Sequence, residues 1–427
     1  MIKNVRIAWK PALAAVALAF AFGCSGGDTK TAEGDKPKGE TTTQPSGTTT
    51  AARPEPTGEG VTATGDTIKI GVVGSLTGDQ KPWGDDSIEG AKMALEEFNA
   101  AGGVNGKKVE LIVGDSASKA EQAKSASEKL LSQGVIGIIG EVASGNTIQI
   151  AKAAFSKAVP VIGIGATRTD LTDEGTHVVR VCYTDAFQGP VMATFAYEEL
   201  GKRKVGIVTD NKAPYSQGLS KSFADKFKAL GGEVVGEVFY ETGQTDFTGP
   251  INEIKGKNPD VLFLSGYFPE VGPMAQAIRG AGIGKDVPLL GGDGWDSPQL
   301  LVSGGDAIID SFFCNHYNNK ETRPEVTAFL TKWKAKHGGK DPGTTMAALG
   351  YDAASLTFDA LKRAKNLNSK DLIEALNDTE GFKGVSGVIN LKGKGGNPDK
   401  QALVVQVKPA AEGFQVFKKA YSPSDIK

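Results

Sequence analysis

The sequence has 427 residues, and its 48 Lys and Arg against 50 Asp and Glu leave a net charge of −2. Acids and bases are interspersed with no basic stripe, which argues against nucleic-acid binding. No pairing among its three cysteines and three histidines has zinc-site spacing, so neither metal nor cofactor is expected.

At the start, Lys3, Arg6 and Lys10 lead into an apolar run over 11–22 that is too short to span a membrane. With Gly23 before Cys24, residues 1–23 read as a secretory signal peptide. Cys24, followed by Ser25, Gly26, Gly27 and Asp28, resembles a bacterial lipoprotein processing site. An acyl-glyceryl cysteine there would hold the protein at a membrane surface without a spanning helix. Ordinary secretion, with Cys24 incidental, is the plainer alternative. From 25 to 65, Thr, Gly, Lys, Glu, Asp and Pro dominate. So little apolar surface cannot offset chain entropy, and residues 24–65 are expected to form a disordered, lipid-anchored tether.

The remaining residues, 66–427, are too many for one ordinary core and suggest two lobes. An apolar strand at 68–74 has the Gly/Val texture of a buried parallel sheet. A polar turn at 75–79 leads past Trp83 to a helix over 85–101, stopped by Gly102 and Gly103. Strand 108–113, helix 119–133 and strand 135–139 follow. Ser144, Gly145, Asn146 and Thr147 then form a polar turn that opens a helix. The next apolar strand ends at Gly165, Ala166 and Thr167, and another lies at 178–181. The alternation starts afresh near Gly201, with strands at 205–208, 233–240, 261–264 and 287–290 and helices at 216–230, 248–257 and 270–282. Beyond Phe313 come helices at 324–337, 346–364 and 369–377, then β runs at 387–391, 402–407 and 414–418. The pattern predicts an α/β fold of two doubly wound, Rossmann-like lobes.

In open α/β sheets, ligands sit at the carboxyl ends of the strands. The turn at 144–147 opens a helix, so its free N–H groups and dipole favour an anion such as a carboxylate. In the second half, Tyr215 starts a helix, Tyr267 ends a strand, and Asp293 lies in Gly-Gly-Asp-Gly-Trp after another. Each alone has a plain structural explanation, as a turn aspartate or a surface tyrosine. Together they face the first half, where Asp293 could hold an ammonium group. The implied ligand is a zwitterion, an α-amino acid. Trp83 is either a core filler or a lid over that ligand. Enzyme readings are poor. His177, His316 and His337 do not accompany a serine in a Gly-x-Ser-x-Gly frame, and the glycine-rich 71–78 lacks dinucleotide-binding spacing and a Walker lysine. Cys182 and Cys314 are either two buried thiols or one disulfide.

Ile70-Gly-Val-Val-Gly-Ser-Leu-Thr-Gly, Asn99-Ala-Ala-Gly-Gly-Val-Asn-Gly-Lys-Lys, Asp185-Ala-Phe-Gln-Gly-Pro and Gly266-Tyr-Phe-Pro-Glu-Val-Gly resemble, in this order, the leucine/isoleucine/valine-binding proteins. These are type I periplasmic solute-binding proteins of ABC transporters. The resemblance implies two lobes joined by a three-segment hinge, with crossovers near 182–185, 313–316 and 388–391. Lobe 1 is then 66–183 plus 315–389, and lobe 2 is 184–314 plus 390–427. By the same resemblance, Ser144, Thr167 and Tyr267 hold the ligand's carboxylate, while the Gly165 carbonyl, the Thr167 hydroxyl and Asp293 hold its ammonium. Trp83 matches the aromatic lid, Tyr215 and Tyr351 match further cleft aromatics, and Val142 and Ala143 fall where an aliphatic side chain packs. The family's first-lobe disulfide is absent, its positions holding Ser118 and Ala143. The implied crossovers instead place Cys182 and Cys314 on adjacent segments, where a disulfide bracing the hinge is expected. The implied function is that of a monomeric, non-enzymatic binding lipoprotein, periplasmic or at the cell surface. It would capture a branched-chain or other aliphatic amino acid by hinge closure and deliver it to an ABC permease. A small amide, urea or aromatic acid as ligand, or a sensory role feeding a signalling receptor, is the alternative.

Overall fold

A computed structural model of the protein describes residues 52–426. The signal peptide, Cys24 and the first part of the expected tether lie outside the described residues. β1 (Thr67–Gly74) is buried along most of its length, as a strand covered on both faces must be, with Ile68, Ile70, Val72 and Val73 out of solvent. After it come α1 (Lys81–Ala100), β2 (Lys108–Asp115), α2 (Ala120–Ser132), β3 (Ile138–Ile139), α3 (Ser144–Phe155), β4 (Val161–Gly163) and β5 (Val178–Arg180). Their strands form a parallel sheet of order β2-β1-β3-β4-β5. Pro82 stands in the first turn of α1, where its missing N–H is no loss, so the helix opens at Lys81 rather than at 85. Trp83 is thereby on a helix and not in a loop.

The second half repeats this plan with α4 (Asp185–Thr194), β6 (Lys204–Asp210), α5 (Pro214–Ala229), β7 (Glu233–Tyr240), α6 (Thr248–Lys255) and β8 (Val261–Ser265). It continues through α7 (Phe268–Gly280), β9 (Leu289–Gly291), α8 (Gln299–Gly304) and β10 (Phe312–Asn315). Next come α9 (Pro324–Lys336), α10 (Met346–Arg363), α11 (Ser369–Asn377) and a hairpin of β11 (Phe382–Gly384) and β12 (Gly387–Ile389). β13 (Ala402–Val407) and β14 (Gln415–Tyr421) close the chain. The second sheet has the order β14-β13-β10-β9-β8-β6-β7, parallel from β7 to β10 and antiparallel beyond. Strand order reverses between β1 and β3 in one sheet and between β6 and β8 in the other. Crevices open at such points, outside the carboxyl ends of the strands. The chain segments following these four strands carry Ser75, Ser144, Tyr215 and Tyr267.

α10 lies against α1 at very close range. A Cβ at Gly90 would stand 2.0 Å from the Ala347 carbonyl oxygen, and one at Gly350 2.0 Å from that of Ser87, so both positions require glycine. The chain passes between the sheets three times: between β5 and α4, after β10, and between β12 and β13. These segments are tied to one another. The Tyr183 ring stacks on His316 with centroids 4.1 Å apart at 21°. Lys400, buried, donates from Nζ to the Val181 carbonyl at 2.7 Å and to the Ser386 hydroxyl. Ser386 Oγ in turn donates to Asp352 at 2.5 Å. Burial pushes the Lys400 ammonium down to about 8, with Asp352 opposing.

Two expectations are corrected. Residues 53–63, assigned to a disordered tether, lie on the first lobe. Arg53 donates to the Val178 carbonyl at 2.8 Å and to Asn377 at 2.7 Å, Val61 N–H to Ser369 Oγ at 2.8 Å, and Ala63 N–H to the Leu367 carbonyl at 2.9 Å. Backbone and guanidinium bonds of this kind hold a polar segment that has little apolar surface to bury. Cys182 and Cys314 are free, buried thiols and not a disulfide. Cys182 Sγ turns to the Ala166 carbonyl at 3.4 Å instead of to the other sulfur. Burial pushes the Cys182 thiol up to about 12 and the Cys314 thiol higher still, so neither is a ready thiolate.

Candidate ligand-binding site

The first wall of the cleft is organised by Glu141, which follows β3 and is out of solvent. Ser75, after β1, and Ser116, after β2, each donate to its Oε1 at 2.6 Å, and Ala143 N–H donates to Oε2 at 2.8 Å. The Thr147 hydroxyl closes the turn on the Glu141 carbonyl at 3.0 Å. Three strand ends are thus locked around one carboxylate, and the turn between them carries Val142 and Ser144. Among the described residues no side chain caps α3, so the N–H groups of its first turn, beginning at Ser144, face the cleft without intrahelical partners. Ser144 Oγ accepts the Arg168 N–H at 3.2 Å.

The second wall is organised by Asp293, in the turn after β9. Its Oδ1 accepts from Gln188 Nε2 at 2.9 Å and from the Tyr215 hydroxyl at 3.0 Å, while Oδ2 faces His316 Nε2 at 2.9 Å. A Cβ at Gly292 would lie 2.5 Å from the Tyr215 hydroxyl, so the glycine before Asp293 is what lets that tyrosine approach. Tyr215 stacks on Tyr267, centroids 4.9 Å apart at 10°. Burial, with Asp293 and Asp185 nearby, holds both phenols well above their usual range, so they remain hydroxyl donors. Asp185, at the start of α4, shares the Gln188 amide with Asp293 at 2.7 Å. Burial first, and then Asp293, push its carboxyl up to about 7.

The walls meet around a small cavity. Trp83 packs edge-on against Tyr267 at 5.3 Å and Phe268 at 5.0 Å, and its Nε1–H donates to the Asp296 carbonyl at 2.7 Å. The Asp296 carboxylate takes the Thr345 N–H at 2.6 Å and its hydroxyl at 2.7 Å at the start of α10, where the helix dipole favours an anion. On another side Arg168 reaches across to the Pro214 carbonyl at 2.6 Å. Val142, Ser144, Gly165 and Met346 line one side of the cavity and Tyr215, Tyr267, Asp293 and Gly294 the other, with Trp83 between them. The space enclosed is ≈ 10 Å³. That is about one water's worth, so a larger molecule enters only when the walls part. Trp83 is both buried filler and cavity wall, so the two readings of it are not exclusive.

Three of the residues singled out from sequence do not line the cavity. Tyr351 points elsewhere: its hydroxyl reaches Glu97 at 3.0 Å and its ring packs on Phe329. It lies five residues along α10 from Met346, which is about 140° round the helix, so only Met346 faces the cleft. Thr167 sits behind the wall, its hydroxyl accepting from Gln188 at 3.3 Å and its carbonyl from Asp185 N–H at 2.7 Å. Ala143 supplies a backbone N–H to Glu141. Met346, Gly294, Gln188 and His316 were missed. Glu141 stood in plain view in Gly-Glu-Val-Ala-Ser, and a carboxylate directly after an apolar strand and before a helix start was the available signal. Among the described residues, no group of three or more His, Cys, Asp and Glu is placed to hold a metal ion, and no helix is long and apolar enough to cross a membrane.

The chain matches the family model described as periplasmic binding protein over residues 67–413. It is 28% identical to the leucine-specific-binding protein of Salmonella typhimurium over 74% of this chain and 84% of that one. Among solved structures, a leucine binding protein, LivK, from Thermotoga maritima superposes with a TM-score of 0.79 at 35% identity, covering 84% of this chain and 99% of the other. The branched-chain amino acid transporter substrate-binding protein LivJ of Streptococcus pneumoniae, in complex with isoleucine, superposes with a TM-score of 0.75 at 31% identity, covering 83% and 99%.

Proposed function

Since the chain belongs to the periplasmic binding protein family, among the leucine/isoleucine/valine-binding proteins, we propose that it captures a branched-chain or other aliphatic amino acid between its lobes and hands it to an ABC permease. One observation carries the reading. Asp293, out of solvent, stands across the cavity from the uncapped start of α3, with Val142, Met346 and Trp83 around the space between. The ligand's carboxylate takes the Ser144 N–H and the Tyr267 hydroxyl, its ammonium takes Asp293, and its side chain packs on Val142, Met346 and Trp83. Contacts to both walls exist together only when the lobes are closed, so binding shifts the population toward closure. Each charge-assisted hydrogen bond contributes about 1.5–3 kcal/mol net. A micromolar Kd needs only about −8 kcal/mol, so these contacts supply the affinity with no covalent step. The leucine binding and isoleucine-bound relatives support the choice of aliphatic ligands. In this reading the protein works outside the cytoplasm, held to a membrane through Cys24, as a monomer.

Isothermal titration of the purified protein against leucine, isoleucine, valine, alanine, benzoate and acetamide tests the proposal. Micromolar or tighter binding of at least one aliphatic amino acid, with benzoate and acetamide weaker, is the expected outcome. Binding of benzoate or acetamide but of no amino acid overturns it.

A further inference from the structure

We infer that His316 is a positioning residue for amino-group recognition, holding Asp293 in the rotamer that meets the ligand's ammonium and linking that contact to the hinge. The inference rests on the amino-acid reading above and deepens it. Asp293 Oδ2 lies 2.9 Å from His316 Nε2, with both side chains out of solvent. A carboxylate only accepts, so the proton of this bond sits on Nε2. Nδ1 has no partner. That fits a neutral ring carrying its one proton on Nε2, because a buried second N–H would be left unsatisfied. A neutral donor orients Asp293 without cancelling its charge, and the site keeps the negative charge an ammonium needs.

His316 also occupies an unusual place in the chain. It directly follows β10, where the second crossover begins, and its ring stacks on Tyr183 of the first crossover. Asp293 belongs to neither segment. Its carboxylate is therefore gripped from three sources: Gln188 of α4, Tyr215 of α5, and a ring seated on the hinge itself. Gln188 and Tyr215 share Oδ1, which leaves His316 alone on Oδ2 among the described residues. Without it, the carboxylate pivots about the Oδ1 contacts and its second oxygen loses a fixed direction.

The test compares leucine with 4-methylpentanoate, which is leucine without its amino group. His316→Phe keeps a ring against Tyr183 and removes the donor, while His316→Gln restores an N–H at similar reach. In calorimetric titrations His316→Phe is expected to weaken leucine binding tenfold to a hundredfold, the range for losing one hydrogen bond to a charged group. Binding of 4-methylpentanoate is expected to change less than threefold, and His316→Gln to recover most of the leucine affinity. Equal losses for both ligands would mean the ring only supports the fold, and unchanged leucine binding would mean it positions nothing. Either outcome overturns the inference while leaving the amino-acid reading intact. If the wild type binds no aliphatic amino acid, that reading falls, and the inference with it. Should His316→Phe fail to fold, His316→Leu replaces it in the same comparison.

Discussion

The two walls of the cleft grow from sheets that share the order of their five parallel strands, yet each treats its buried carboxylate differently. In the first wall, Glu141 is closed off by Ser75, Ser116 and the Ala143 N–H, and what it offers the cavity is the turn it holds in place. In the second wall, Asp293 itself lines the cavity, with three donors arranged around it. One acid shapes backbone and the other presents charge. The lesson is that burial and hydrogen bonding alone do not mark a recognition group. What separates the two is whether the carboxylate also has a face on the cavity.

Substitution at the two acids should separate binding from stability. If Asp293 meets the ligand's ammonium as proposed, Asp293→Ala removes its buried partner, a loss of about 3–5 kcal/mol for such groups, so amino-acid affinity should fall roughly 100-fold or more. Circular dichroism should remain that of the wild type, and wild-type affinity in this variant would dissolve the contrast. Glu141→Gln should act the other way round. Its amide NH₂ replaces one acceptor oxygen among groups that all donate, costing about 1–3 kcal/mol of folding stability. Ligand affinity should change only severalfold, and denaturant melts alongside titrations separate the two effects.

A subtler distinction concerns Asp185, which sides with the charged wall. Its folded carboxyl is raised from 3.8 to about 7, so the folded state holds a proton that the unfolded chain has released between those values. Holding this carboxyl in the fold therefore costs stability in full above about pH 7, and the cost shrinks as pH falls from there towards 3.8. Asp185→Asn should melt higher than the wild type at pH 8, with the gap narrowing steadily as pH falls towards 4; a gap independent of pH would refute the cause given. The smallest expected effect belongs to the cysteines. Adding reductant should leave the melting temperature unchanged, and a drop of several degrees would restore the hinge disulfide.

Much of this was readable from the chain alone, because strand-and-helix alternation and strand-end turns are local patterns. Ser144, Gly165, Tyr215, Tyr267 and Asp293 were found at the ends of apolar runs, and all five line the cavity. The misses have physical reasons. α4 carries Pro190 inside it and gave no helical signal, which hid Gln188. β10 is four residues long, and the partner of His316 beyond it, Asp293, lies twenty-three positions earlier. Tyr351 was carried over from a family pattern, where helical phase and not residue type decides the direction faced. The segment 53–63 looks like a tether by composition, but its order comes from hydrogen bonds that composition does not record.

The ties among the three crossovers bear on how the molecule can bend. Lys400 joins the third to the first through the Val181 carbonyl, and the Tyr183–His316 stack joins the first to the second. Three separate ribbons would allow twist, shear and flexion in any mixture. Riveted at two points, they should favour a rotation about one common axis over twist or shear. If the proposed closure exchanges two states about that axis, scattering curves collected during a ligand titration should pass through one common crossing point.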